Sequence, residues 1–128
     1  MATIKSCTDL SQSKRLAEFL SSDSADFFWI IGRLHTDGPR YERILPRNEV
    51  SEPENHWPCW SLTALLKVIP KHIKDYNVFR IDIGDNDFSA WYDEIGFGVN
   101  NDLPDITMKE PIDACCAVIL KLHEQKYL

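Results

Sequence analysis

The sequence predicts an α+β fold: two antiparallel β-hairpins forming a sheet with about three helices packed on it, in the order α-β-β-α-β-β-(β)-α. Three observations predict it. The runs 27-FFWIIGRLH-35 and 41-YERIL-45 flank 36-TDGPR-40. Its Asp-Gly pair favours a type I′ hairpin turn, because glycine takes positive φ without steric cost. The run 78-VFRIDI-83 alternates apolar and polar residues, then turns at 84-GDND-87 into a partner strand, 88-FSAWYDEI-95. Three further stretches repeat apolar residues at helical spacing, and antiparallel hairpins with helices on one face make a layered fold.

In chain order, 9-DLSQSKRLAEFL-20 is the first predicted helix. Thr8, Asp9 or Ser11 is placed to accept the free N–H groups of its first turn. Leu16, Ala17 and Leu20, with Ser13, share one face. The polar stretch 21-SSDSAD-26 turns the chain into the first hairpin. Residues 46–57, PRNEVSEPENHW, polar and with two prolines, read as an exposed loop.

The stretch 57-WPCWSLTALLKVIP-70 resembles a redox motif, but Cys59 has no C-x-x-C partner. It reads instead as a helix entry. Ser61 directly precedes the periodic Leu62, Leu65, Leu66 and Ile69, which makes it the N-cap. Trp60 and Leu65 then occupy the two positions of a hydrophobic staple. Pro70 ends or kinks this helix, and 71-KHIK-74 reads as a turn that continues it. After the second hairpin, 96-GFGVNNDLPD-105 reads as a long loop and 105-DITM-108 as a short strand. The last helix starts at Pro111, which suits a first helical position. Ile112, Cys115, Cys116, Ile119 and Leu122 give it one continuous apolar stripe.

A chain of 128 residues with 44% apolar content predicts a single globular domain spanning 1–128. The N-terminal stretch lacks the apolar core of a signal peptide, and no apolar run approaches the roughly 20 residues of a membrane span. The expectation is a cytoplasmic protein, with Cys7, Cys59, Cys115 and Cys116 as free thiols. Between Asp82 and Asp113 stand nine acids and one base, a net −8 within a chain of −6. That segment repels phosphate and argues against direct nucleic-acid binding.

The candidate chemical constellations fail on spacing. His56 and Cys59 supply two ligands or a dyad, whereas a zinc site needs three or four. The stretch 82-DIGDNDFSAWYDE-94 lacks the sixth-position glycine and twelfth-position glutamate of an EF-hand loop. Adjacent Cys115 and Cys116 point about 100° apart on a helix, so they read as buried small apolar residues. No nucleotide-binding, hydrolase or metalloprotease motif occurs. Neither a metal nor a cofactor is expected.

Four stretches, 12-QSKRLAEFL-20 with 24-SADFFW-29, 59-CWSLTALLKVIPKHI-73 and 111-PIDACCAVILKLHEQKYL-128, resemble a family of small proteins encoded in gut-anaerobe genomes, often among prophage or mobile-element genes. The family's pattern is similar: a Q-S-K-x-L helix, an S-A-D-aromatic strand, a W-S-L-x-x-L-L-x-x-x-P helix and a closing D-A-C helix ending in L-H-E. The resemblance covers about half the chain and implies no activity.

The reading from sequence is a non-enzymatic module, carried by a mobile element, that binds another protein or assembles with itself. The alternative is an acidic DNA mimic that inhibits a nucleic-acid-binding enzyme. A small enzyme is third. The candidate binding residues are Trp57 and Phe97 for an apolar surface, and Asp85, Asp87 and Asp102 for an acidic one.

Overall fold

The computed structural model describes residues 5–33, 40–49, 56–74, 76–95, 98–99 and 102–128. Their contacts gather into two compact units: Cys7–Ala64, and Leu65–Leu128 with the residues ahead of Cys7. The α+β class holds, but the two hairpins belong to two separate antiparallel sheets rather than one.

The first unit opens with helix α1 (Leu10–Ala17), capped at Asp9 by a capping box. Asp9 accepts from the Gln12 N–H at 2.8 Å while Gln12 accepts from the Asp9 N–H at 3.0 Å, satisfying two free donors at once. Ser13 and Leu16 are its buried residues. A 3-10 turn at Ser22–Ser24 leads to strand β1 (Phe27–Arg33), which pairs antiparallel with β2 (Arg40–Pro46). The Asp37–Gly38 turn lies outside the described residues.

The sequence assigns 46–57 to a loop, yet His56–Cys59 forms strand β3, pairing antiparallel with the other edge of β1. Proline cannot donate to a ladder, so its place in this strand needs a reason. The geometry explains it. Arg47 N–H donates to the Asp26 carbonyl at 3.1 Å, continuing the β1–β2 ladder. Even-numbered residues of β1 therefore bond to β2 and odd-numbered ones to β3. Pro58 faces Phe28, an even position, so its missing N–H points away from β1. The same parity turns the missing N–H of Pro46 to the open edge of β2. Helix α1 packs on β3.

Helix α2 (Leu62–Val68) follows, and stops ahead of Pro70 as expected. The 71–74 stretch does not continue it: His72–Ile73 is strand β4, paired with β5 (Asn77–Ile83). Lys74 holds positive φ, 55°, in the tight connection. Strand β6 (Phe88–Glu94) pairs with β5 along its whole length. Its other edge is shared by β7 (Gly98–Val99), inside the stretch assigned to a loop, and β8 (Asp105–Met108).

Helix α3 (Pro111–Glu124) packs on β6 and β8. All five stripe residues are buried, as are Ala114 and Val118, so the buried face is wider than one stripe. That is why two adjacent cysteines are both inside. The helix ends in a Schellman arrangement, with Lys126 N–H on the His123 carbonyl (3.0 Å) and Tyr127 N–H on the Leu122 carbonyl (2.9 Å). Lys126, at φ 67°, occupies the left-handed position where glycine is usual. No helix among the described residues is long and apolar enough to cross a membrane.

Candidate functional site

The motif residues of the first unit are joined by hydrogen bonds. Ser61 caps α2, its hydroxyl accepting the Ala64 N–H at 3.2 Å. Asp26 takes the Ser61 N–H at 2.9 Å and the Ser61 hydroxyl as well. The Trp60 indole N–H donates to Ser24 Oγ at 2.9 Å. Ser24 and Asp26, a Ser-x-Asp pair, thus hold Trp60 and Ser61, a Trp-Ser pair. Thr8 ties the rest together. It meets the Ser13 hydroxyl at 2.8 Å, its carbonyl accepts the Trp29 indole at 2.9 Å, and its hydroxyl accepts the Trp60 N–H at 3.1 Å. These stretches therefore have a structural role, joining helix starts to β1 and β3.

Cys59 and His56 do not form a dyad. Three residues apart on a strand, they point to opposite faces. The His56 ring lies edge-on to Phe28 at 4.8 Å, while the Cys59 thiol donates to the Thr8 carbonyl at 3.5 Å. The neighbouring Cys7 thiol and, after it, burial push the Cys59 thiol well above its ordinary pKa. A thiol held protonated in this way is a weak nucleophile. Burial likewise pushes the Cys115 thiol up to about 12. Both Cys115 and Cys116 are expected to resist a thiol reagent in the native protein and to label only on unfolding. The Cys115 shift also sets a pH window. The unfolded thiol releases its proton near 9.0 and the folded one near 12. Stability present below pH 9 is then lost between these values, by roughly 1.4 kcal/mol per unit. Urea midpoints on either side of pH 9 measure this, and Cys115→Ala is expected to flatten the slope.

Within the second unit, Asp85 and Asp87 are not brought together with Asp102. Trp57 lies on β3, 36% exposed, with the Lys14 ammonium 5.2 Å from its ring centroid. Asp85 and Asp87 form the β5–β6 turn, where Gly84 N–H donates to the Asp87 carbonyl at 2.9 Å. With Ile83, Lys109 and Glu110 they line a hollow of about 600 Å³. That hollow sits at the start of α3, whereas Asp102 lies at its end, its carbonyl accepting from the Gln125 side chain. Fourteen helical residues, about 21 Å, separate the two ends. Phe97 lies outside the described residues. Among the described residues, no group of three or more histidine, cysteine or acidic side chains is placed to hold a metal.

One surface was not legible as a site. Phe79, Ile81 and Ile83 alternate as expected, but the face they share is only partly covered. Opposite them across the ladder stand Tyr92, Ala90 and Phe88, all buried. Ile81 and Ile83 are nevertheless 43% and 75% exposed, and Met108, beyond Phe88, is 39% exposed. The edge of β5 is open as well. Phe79 N–H donates outward to the Lys71 carbonyl at 2.9 Å, while Ile95 N–H bonds the Tyr76 carbonyl on the β6 side. By strand parity, the N–H and C=O of Ile81 and Ile83 point away from β6. Among the described residues no strand meets them, since β4 pairs only with Asn77 and Val78. Acids surround this edge. Arg80 is 3.5 Å from Asp93, but no ion pair among the described residues involves Asp82, Asp85 or Asp87. No protein-family model, curated protein or solved structure matches the chain.

Proposed function

We propose that this protein is a non-enzymatic protein-binding module that takes an extended, basic segment of its partner onto the open edge of β5. The observation that carries this reading is the edge itself: backbone groups at Ile81 and Ile83 that no strand among the described residues meets, beside their own exposed side chains. Strand addition supplies main-chain hydrogen bonds, and alternate side chains give selectivity. The incoming strand would lay apolar residues along Ile81 and Ile83. Its lysines or arginines would face Asp82, Asp85 and Asp87. A bare edge of this kind is ordinarily covered or blunted.

Self-assembly through this edge is a poorer fit. Two β5 strands centred antiparallel on Ile81 would set Ile83 of one copy where Lys71 already bonds Phe79. Centring on Asp82 sets like charges opposite each other, which destabilises a pair. The DNA-mimic reading needs carboxylates in a row at phosphate-like spacing. Asp85 and Asp87 lie at the opposite end of α3 from Asp102, which gives such a row no support.

The test is selection from displayed random peptides. Sequences alternating apolar and basic residues are expected to emerge. Ile81→Pro should abolish their binding without unfolding the protein, because the N–H it removes faces the open edge. Reversing Asp82, Asp85 and Asp87 to lysine should weaken binding at least tenfold. Retained binding in both variants, or loss on Trp57→Ala alone, sinks the proposal. A captured nucleic-acid enzyme, released by the charge reversal but unaffected by Ile81→Pro, would establish mimicry instead.

A further inference from the structure

The sheet formed by β5, β6 and β8 has a second face, turned away from α3. Phe88, Ala90 and Tyr92 are buried on the α3 side. Strand alternation therefore puts Ser89, Trp91 and Asp93 on the other side. The register supplies their neighbours: Trp91 stands between Arg80 of β5 and Asp105 of β8, and Ser89 between Asp82 and Thr107. The exposed Ser89 and Thr107 hydroxyls meet at 2.8 Å, and Arg80 Nε lies 3.5 Å from Asp93 Oδ2. Trp91 is half-buried among these polar groups. The indole N–H groups of Trp29 and Trp60 are held by the Thr8 carbonyl and the Ser24 hydroxyl. That of Trp91 has no partner among the described residues. Four strand residues from Trp91, about 14 Å, the face ends at Ile95, whose N–H bonds the Tyr76 carbonyl at 2.9 Å. Both are well exposed, Ile95 to 58% and Tyr76 to 47%.

We propose that this outer face is a binding platform for a neutral, extended glycan chain, centred on Trp91. A pyranose ring presents C–H groups of partial positive charge on its face, and these pack on the negative face of an indole. Its rim carries hydroxyls that both donate and accept. The residues around Trp91 answer both needs: Arg80 donates, Asp93 and Asp105 accept, and the Ser89 and Thr107 hydroxyls do either. The indole N–H adds a further donor. Bonds to the charged groups are the stronger ones. A folded protein partner fits less well, because the centre of a protein interface is depleted of charge, whereas charged residues flank this aromatic on both sides. A peptide strand fits less well too. The backbone of β6 is committed to its ladders with β5 and β8, so this face offers side chains alone. Asp82, Asp93 and Asp105 repel phosphate- and uronate-bearing polymers. Tyr76 and Ile95 carry the apolar track beyond one ring, which favours a chain of sugars over a monosaccharide. The β5 edge offers backbone groups and this face offers side chains, so the two sites stand or fall separately.

The experiment titrates the isotope-labelled chain with cellohexaose, xylohexaose, chitohexaose and maltohexaose, and follows its backbone and indole N–H signals by NMR. At least one of these neutral chains is expected to shift the Trp91 indole signal, identified by its absence in Trp91→Phe, and to leave that of the buried Trp60 in place. The matching monosaccharide should bind at least tenfold more weakly. Trp91→Ala and Asp105→Ala should each weaken binding of the hexaose at least tenfold, the scale of one hydrogen bond to a charged group. Asp105 is exposed, so its loss tests the site without disturbing the core. Binding by none of the four probes overturns the proposal. So does a response along the open edge of β5 rather than around Trp91, tighter binding of the anionic polygalacturonate, or full affinity in the Asp105→Ala variant.

Discussion

Asp26→Ala is expected to lower the unfolding free energy by about 3 kcal/mol, the scale of removing hydrogen bonds to a charged acceptor. The half-buried carboxylate accepts both the N–H and the hydroxyl of Ser61, 35 residues away. It therefore pins the start of β1 to the start of α2. Alanine leaves the Ser61 N–H without its acceptor and frees the capping hydroxyl to rotate. Asp26→Asn keeps one acceptor and should cost about half as much. Ser61→Ala removes the cap as well as its contact with Asp26, so it should cost about 1–2 kcal/mol. The two losses should not add, because the residues share one pair of hydrogen bonds. A double-mutant cycle in urea is expected to give a coupling of at least about 0.5 kcal/mol. An Asp26→Ala midpoint close to wild type, with strict additivity, would refute this account.

Trp60→Ala carries the largest expected effect, about 3–5 kcal/mol. Trp60 is the largest side chain with no exposure. Its loss combines a large apolar transfer term with the cavity left behind, and abandons the Ser24 hydroxyl. Trp60→Phe separates these contributions. It retains most of the volume and loses the indole N–H, so a cost of about 1–2 kcal/mol is expected. Equal losses for the two variants would mean that the hydrogen bond, not the packing, dominates. Denaturant midpoints with unchanged m-values are the measurement, since a changed m signals an altered unfolded state.

The sequence by itself determined the elements whose cause is local. Ser61 as a cap, Pro70 as a stop, Pro111 as a start and the stripe of α3 all rest on neighbours within a turn or two. A helix repeats that information every 3.6 residues. Alternation likewise located β5, the turn after it located β6, and the aromatic, β-branched run 27–35 located β1. What only tertiary structure decided is pairing and coverage. His56–Cys59 and His72–Ile73 are strands because β1 and β5 offered them an edge. Their own sequences, a Trp-Pro-Cys and a Lys-His-Ile-Lys, carry no strand pattern. The hairpins parted into two sheets for the same reason: pairing is chosen among all available edges, which no local window contains. Alternation placed Ile81 and Ile83 on one face but could not say that α3 packs mainly on β6 and β8 while those two isoleucines stand exposed. The contacts of Thr8 with Cys59, and of Ser24 and Asp26 with Trp60 and Ser61, span 35 residues or more. Such contacts exist only once the chain has closed on itself, because spacing along a sequence specifies faces and not partners.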